Sequence, residues 1–212
     1  MKVGIIGSGI VAQTLGRGFL AHGHAVMLGT RTPAKLSEWA TNNPGGRIGS
    51  SVEAVQFGEL LVLAVKGTAA LLALQAVAAE DLAGKVVIDT TNPIVDGPPE
   101  HGLLRFFTTP EDSLMERLQR EFPYTRFVKA FNSVGNARMV NPDFPQGPPT
   151  MFICGSDAKA KQVVKSVLEQ FGWESEDMGG VESARAIEPL CILWCLPGFL
   201  RGEWTHAFKL LH

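Results

Sequence analysis

The sequence predicts an α/β fold, a doubly wound parallel sheet with a small C-terminal α/β lobe. Three observations predict it. Short apolar runs alternate with amphipathic stretches through most of the 212 residues. Runs such as Leu-Leu-Val-Leu-Ala-Val at 60–65 are continuously apolar, as strands buried on both faces are. The first such run enters a glycine turn that opens a helix.

The elements follow in order. Lys2 to Ile6 reads as a buried strand that runs into Gly7-Ser8-Gly9-Ile10-Val11-Ala12, a G-x-G-x-x-A turn. Ile10, Val11, Leu15, Phe19 and Leu20 recur at helical spacing. Ala25 to Gly29 is a second strand, and Pro33 to Asn42 a helix with Pro33 in its first turn. Arg47 to Gly49 reads as a short strand, and Ser51 to Phe57 as a helix capped by Ser51. Strand 60–65, helix 68–79 and strand 86–89 come next. Pro93, Gly97, Pro98, Pro99 and Gly102 make 92–104 a loop, of a length that marks lids and binding loops. Helix 111–121 and strand 126–130 precede a second Pro/Gly loop at 141–149. Strand 150–154, helix 158–171 and strand 173–176 follow, then an apolar helix, 181–196, interrupted by Pro197-Gly198. The expected division is a nucleotide domain over residues 1–130 and a smaller lobe over 131–212.

Composition narrows the classes. A net charge of −2 disfavours nucleic acid as a partner, and 45% hydrophobic residues supply a sizeable core. No uninterrupted apolar run of membrane-spanning length is found, and Met1 leads directly into the first strand, so no membrane span, no leader and a cytoplasmic location are expected. The three cysteines form no disulfide framework; Cys191 and Cys195 read as packing residues one helical turn apart, and no metal site is expected.

The opening turn has a physical purpose. Gly7 allows the tight exit from the strand, Gly9 lets a pyrophosphate approach the main chain, and Ala12 is small enough for the helix to pack on the strand. The unpaired N–H groups of the first helical turn, at the positive end of the helix dipole, suit a phosphate. This is the Rossmann-type dinucleotide arrangement. The end of the second strand selects the nucleotide. It reads Leu28-Gly29-Thr30-Arg31-Thr32-Pro33-Ala34-Lys35, with no acid from Ala25 to Ser37. An acid there would bind the ribose of NAD; its absence, with Arg31, Lys35 and the Thr30 hydroxyl in place, suits the 2′-phosphate of NADP.

No proton-transfer group stands out. His22, His24, His206 and His212 fall away from the expected crevice; His101, in the Pro/Gly loop, is the histidine placed to reach it. Tyr124 is the sole tyrosine, and Lys129, at a strand end, could point into the cleft. The catalytic residue is therefore left unassigned. Hydride exchange between two ring cofactors needs less acid–base help from the protein, which points to a flavin-like acceptor.

Several segments together resemble the NADPH-dependent coenzyme F420 reductases, whose nucleotide domain is shared with the cytosolic part of the STEAP metalloreductases. They are the opening turn, Gly29-Thr30-Arg31 with Lys35, Val128-Lys129-Ala130-Phe131-Asn132-Ser133-Val134, Ile153-Cys154-Gly155-Ser156-Asp157, Asp177-Met178-Gly179 and Arg185-Ala186-Ile187-Glu188-Pro189-Leu190. The resemblance implies NADP as cofactor and F420 or a flavin as co-substrate. It implies that Ser8, Gly9, Ile10 and Val11 line the pyrophosphate and that Thr30, Arg31 and Lys35 hold the 2′-phosphate. Ala64, Val65 and Lys66, with Asn92 and Pro93, would border the nicotinamide, and Asn132, Ser133 and Val134 would face the acceptor ring. Lys66 and the long 96–109 loop depart from that family's pattern. Arg185 and Glu188, three apart, read as an ion pair on one helix. The alternatives are an NADPH-dependent imine or carbonyl reductase and a non-catalytic NADPH-binding module. Small-molecule cofactors and a homodimer are the expected partners, the 181–196 helix serving either the core or the dimer seam.

Overall fold

The computed structural model describes residues 1–211. Six strands form one parallel sheet: β1 (Lys2–Ile6), β2 (Ala25–Gly29), β3 (Arg47–Gly49), β4 (Leu60–Leu63), β5 (Val86–Asp89) and β6 (Arg126–Lys129), in the order β3-β2-β1-β4-β5-β6. This is the Rossmann-type doubly wound order, and its direction reverses between β1 and β4, where a crevice opens beyond the strand ends.

The helices of the first half are α1 (Ile10–Ala21), α2 (Ser37–Asn42), α3 (Ser51–Phe57), α4 (Gly67–Gln75) and α5 (Ala79–Leu82). Then come α6 (Leu114–Glu121), strands β7 (Thr150–Ile153) and β8 (Glu174–Asp177) around α7 (Ala158–Gln170), and finally α8 (Ala184–Ile187) and α9 (Leu190–Arg201). β7 and β8 pair in parallel, and an antiparallel bridge from Lys129 to Cys154 attaches them to the β6 edge.

The apolar strands divide their side chains between two cores because successive residues point to opposite faces. Leu60, Val62, Ile88 and Val128 face one core with Leu15 and Phe19 of α1 and Val164, Leu168 and Phe171 from the α7 region. Leu61, Leu63, Val87 and Phe127 face the other, with Ala70, Leu74, Leu114 and Leu118. Leu61, fully buried, contributes about 1.5–3 kcal/mol, and truncating it to Ala costs about 2–5 kcal/mol. The first of these cores is continuous from α1 to α7, so the β7–α7–β8 segment shares apolar packing with the six-stranded sheet.

Several sequence expectations shift. Ser50, not Ser51, caps α3, in a reciprocal box with Glu53. α6 starts at Leu114, where Ser113 and Glu116 form the same box, three residues later than expected. Pro197 does not interrupt the last helix. A proline removes one intrahelical bond, yet α9 runs on to Arg201 and closes on Gly202, at φ 73°, whose N–H bonds Gly198 and Pro197 carbonyls. The break comes earlier, at Glu188-Pro189, between α8 and α9.

The helical run Val181–Arg201 has a mean hydropathy of 1.2 over its most apolar window and is long and apolar enough to cross a membrane, although Glu182, Arg185 and Glu188 keep it from being uninterrupted. It is tied to the rest of the fold at two points, while Leu193, Phe199 and Leu200 are exposed. Glu188 is buried, and the Trp194 indole donates to the His206 carbonyl while its ring stacks on the His206 imidazole.

Candidate functional site

Two adjoining cavities open along the strand ends. The larger, about 660 Å³, lies beyond β1, β4 and β5, and the smaller, about 290 Å³, beyond β1 and β2. Ser8, Arg31, Lys35, Val65 and Ala69 line both, so the two form one cleft.

The floor is the glycine turn. Gly7 sits at φ 142°, and a Cβ there would lie 2.1 Å from the Ala64 carbonyl oxygen, so only glycine brings the turn this close to β4. Gly9 is different: a Cβ there would meet nothing within 4 Å, because it would project into open space. Ser50, Ser113 and Asp157 cap α3, α6 and α7 through their side chains. No side chain caps α1, and no acid lies in its first turn. Its N-terminal N–H groups are thus available to a phosphate within the cleft.

At the β2 end Thr30 is buried, and its hydroxyl oxygen accepts the Thr32 N–H at 3.1 Å, which forms a local turn. Arg31 and Lys35 are exposed on the cleft wall, and neither makes a salt bridge among the described residues. Two unpaired cations beside an uncapped helix N-terminus make an anion-binding surface that fits both the pyrophosphate and the 2′-phosphate of NADP.

At the opposite end Ala64, Val65 and Lys66 follow β4, and Thr90, Thr91 and Asn92 follow β5. A Cβ on Gly67 would fall 1.9 Å from the Asn92 carbonyl oxygen, so the β4–α4 turn is pressed against the segment after β5. Behind it, Phe131 adopts φ 62°, rare for a bulky residue, while its side chain is buried. This sharp turn carries Asn132 toward Asn92. The Asn92 side-chain N–H donates to the Asn132 carbonyl at 2.7 Å, and the Asn132 amide donates to Asn92 Oδ1 at 3.1 Å and to the Ile187 carbonyl at 3.0 Å.

Comparison with known proteins decides the lineage. A crystal structure from Arthrobacter sp. FB24, assigned as an F420-dependent NADP-reductase, superposes over the whole of both chains with a TM-score of 0.93 and 31% sequence identity. The family described as NADP oxidoreductase, coenzyme F420-dependent, matches residues 2–93. The chain belongs to this family of NADP oxidoreductases. This family member is also 31% identical over 205 residues to the metalloreductase STEAP3 of Rattus norvegicus, covering 94% of the chain but 39% of that protein. It thus spans about two fifths of the curated relative's length. An imine reductase from Streptomyces aurantiacus shares the fold, with a TM-score of 0.71 and 19% identity over 94% of this chain and 63% of its own.

In this family member the expected site residues separate into two groups. Gly7, Ser8, Gly9, Ile10, Val11, Thr30, Arg31, Lys35, Ala64, Val65, Lys66 and Asn92 line the cleft. Ala12 lies beneath the turn, fully buried, and Pro93 is buried with its carbonyl accepting the Phe107 N–H. Asn132, Ser133 and Val134 are buried and stand behind Asn92 instead of lining the cleft; the positive φ at Phe131 turns the chain inward. His101 and Tyr124 are exposed away from the lining.

Lys129 does not reach the cleft. It is fully buried, with its ammonium 2.7 Å from Asp89 Oδ2, 2.9 Å from Glu188 Oε1 and 2.8 Å from the Thr91 carbonyl. Burial alone would lower its pKa, but Asp89 and Glu188 outweigh it and hold the ammonium above the ordinary lysine range. The expected Arg185–Glu188 pair is likewise not formed. Arg185 forks onto Glu116, and Glu188 accepts the Leu114 and Met115 N–H groups of α6, each at 3.0 Å. The α6 N-terminus thereby offsets the second carboxylate around Lys129.

Cys154 is buried, its thiol pushed up to about 12 by burial, and it packs against Met115. Cys191 is buried and Cys195 half-buried. Thr90, Thr91, Ile94, Gly67 and Asp96 complete the cleft wall and were not picked out from the sequence. The rule that ligands lie beyond strand ends would have found Thr90 and Thr91, next after the β5 run. Nothing local marks Asp96, which a loop brings back to the cleft.

Proposed function

We propose that the protein transfers hydride between NADP(H) and a deazaflavin (F420) or flavin-type acceptor. The observation that carries this reading is the chemistry of the cleft's nicotinamide end. Its wall there is Ala64, Val65, Thr90, Thr91 and Asn92; the two ionisable groups at that end, Lys66 and Asp96, are paired with each other, and the nearby lysine of β6 is sealed in an ion network. A carbonyl or imine substrate needs a positioned proton donor at the reacting atom. A ring acceptor draws its proton from solvent, and the nicotinamide supplies the hydride when bound. The residues bind and orient. The glycine turn and α1 N-terminus seat the pyrophosphate, Arg31 and Lys35 the 2′-phosphate, and Asn92, held by Asn132, presents a fixed amide beside the ring. Small-molecule cofactors are the partners of this reading, with a homodimer as its assembly.

The fold likeness to an imine reductase supports the alternative, an imine or carbonyl reductase. One screen separates the two. NADPH oxidation followed with F420, FMN, FAD, ferric chelates and a cyclic imine should proceed with a ring acceptor and not with the imine. Turnover of the imine alone would overturn the proposal.

A further inference from the structure

The cleft lining of the larger cavity holds three cations, Arg31, Lys35 and Lys66. NADP brings two anionic groups. The 2′-phosphate belongs at Arg31 and Lys35, beyond β2, and the pyrophosphate at the uncapped α1 N-terminus. Lys66 stands at the other end, as the N-cap residue of α4, where the cofactor presents its nicotinamide and no anion. One cation is left over.

That cation already holds a stand-in. Lys66 Nζ lies 2.9 Å from Asp96 Oδ1, with the two side chains 78% and 67% exposed. Asp96 sits in the long loop after β5, which is pinned to itself by the Val95 N–H to the Arg105 carbonyl at 2.8 Å and the Phe107 N–H to the Pro93 carbonyl at 2.9 Å. The loop therefore delivers a carboxylate to a set place at the cleft mouth. The hydrogen bond and charge of Lys66, then the Thr68 hydroxyl, hold the Asp96 carboxyl below its ordinary range. An ion pair this exposed is weak, and a stronger anion can displace one partner.

We propose that Lys66 is a specificity-determining residue for the acceptor: it recognises a phosphate on the tail of the ring substrate, and Asp96 occupies the ammonium until that phosphate arrives. The proposal rests on the ring-acceptor reading. A phosphate bound to an ammonium makes charge-assisted hydrogen bonds, stronger than those of a neutral tail. The Asp96 carboxylate competes with it, so removing that charge strengthens binding.

FMN and riboflavin carry the same ring and differ by one phosphate, which makes them the probes. Binding of each to the full chain saturated with NADP⁺ is read from quenching of flavin fluorescence. Wild type should bind FMN about tenfold more tightly than riboflavin, a gap that shrinks with added salt. Lys66→Gln should abolish the gap by weakening FMN alone, and Asp96→Asn should widen it. NADP⁺ affinity should stay unchanged in both variants. Equal affinity for the two flavins in wild type, no binding of either, or equal weakening of both by Lys66→Gln would overturn the proposal. A loss of NADP⁺ affinity in Lys66→Gln would also overturn it, by assigning Lys66 to the cofactor. Hydride transfer is read separately: FMN bound through Lys66 but never reduced by NADPH would remove the ring-acceptor reading and leave the anion site standing.

Discussion

Glu188 Oε1 lies 2.9 Å from Lys129 Nζ, with both side chains buried and the Glu188 carboxylate also seated on the α6 N-terminus. This contact ties the C-terminal helices to the last strand of the nucleotide sheet. Removing one partner of such a pair leaves the other buried and uncompensated, at a cost of about 3–5 kcal/mol. Lys129→Met takes the counter-ion from both carboxylates, leaving Asp89 with the Thr91 donors alone and Glu188 with the α6 N–H groups alone, and should lower stability by about that amount. Urea unfolding of the variant and wild type measures it; an unchanged midpoint would show that the pair contributes nothing.

Acid should reveal the second tie between α8 and α6. Burial raises the Glu116 carboxyl, but the Arg185 fork and the Ser113 hydroxyl outweigh it and hold it below its ordinary range. A lowered folded-state pKa contributes stability that is complete above the unfolded value, about 4.3, and is lost as pH falls through the folded value. Arg185→Gln moves the folded value back toward the unfolded one. Unfolding midpoints measured downward from pH about 5 should fall less steeply in Arg185→Gln than in wild type. Parallel slopes would remove Arg185 from the account of the acid limb.

These two contacts also mark the limit of what the sequence makes legible. The strands and the glycine turn are local signals: the apolar run at 60–65 and the strand-turn-helix order around Gly7 carry their meaning within a few residues. So does the β2 end, where the lack of an acid is visible beside Arg31. Lys129 and Glu188 are 59 positions apart in sequence (188 − 129), and only the docking of α8 on α6 brings them together. Arg185 and Glu188 keep helical spacing, yet their distant partners Glu116 and Lys129 hold them apart from each other. From sequence Asn132 reads as a residue facing the acceptor; it stands behind Asn92 instead, because a positive φ at Phe131 is not expected of a bulky side chain.

Cofactor choice should depend on Arg31. Exposed and without a salt-bridge partner among the described residues, it is free to fork onto a 2′-phosphate. Arg31→Ala should weaken NADPH by about 10- to 100-fold, the scale of one or two charge-assisted hydrogen bonds, while leaving NADH nearly unchanged. Titrations of nicotinamide fluorescence give both constants. A wild type that binds NADPH and NADH equally well would sink the NADP assignment.

The two glycines of the opening turn should fail in opposite ways. A Cβ on Gly7 meets the Ala64 carbonyl oxygen at 2.1 Å, and its φ of 142° disfavours any L side chain. Gly7→Ala should therefore unfold at lower denaturant, by several kcal/mol, with cofactor loss as a consequence. A Cβ on Gly9 meets nothing within 4 Å, and the Gly9 backbone, at φ −75° and ψ 178°, is ordinary extended chain. Gly9→Val should fold with nearly wild-type stability yet bind NADPH at least about tenfold more weakly, because its side chain fills the space where the pyrophosphate meets the main chain. Stability and affinity measured on the same two variants separate the turn's two tasks. If Gly9→Val kept its NADPH affinity, the open space above Gly9 would not be the pyrophosphate seat, and the α1 N-terminus would lose its role.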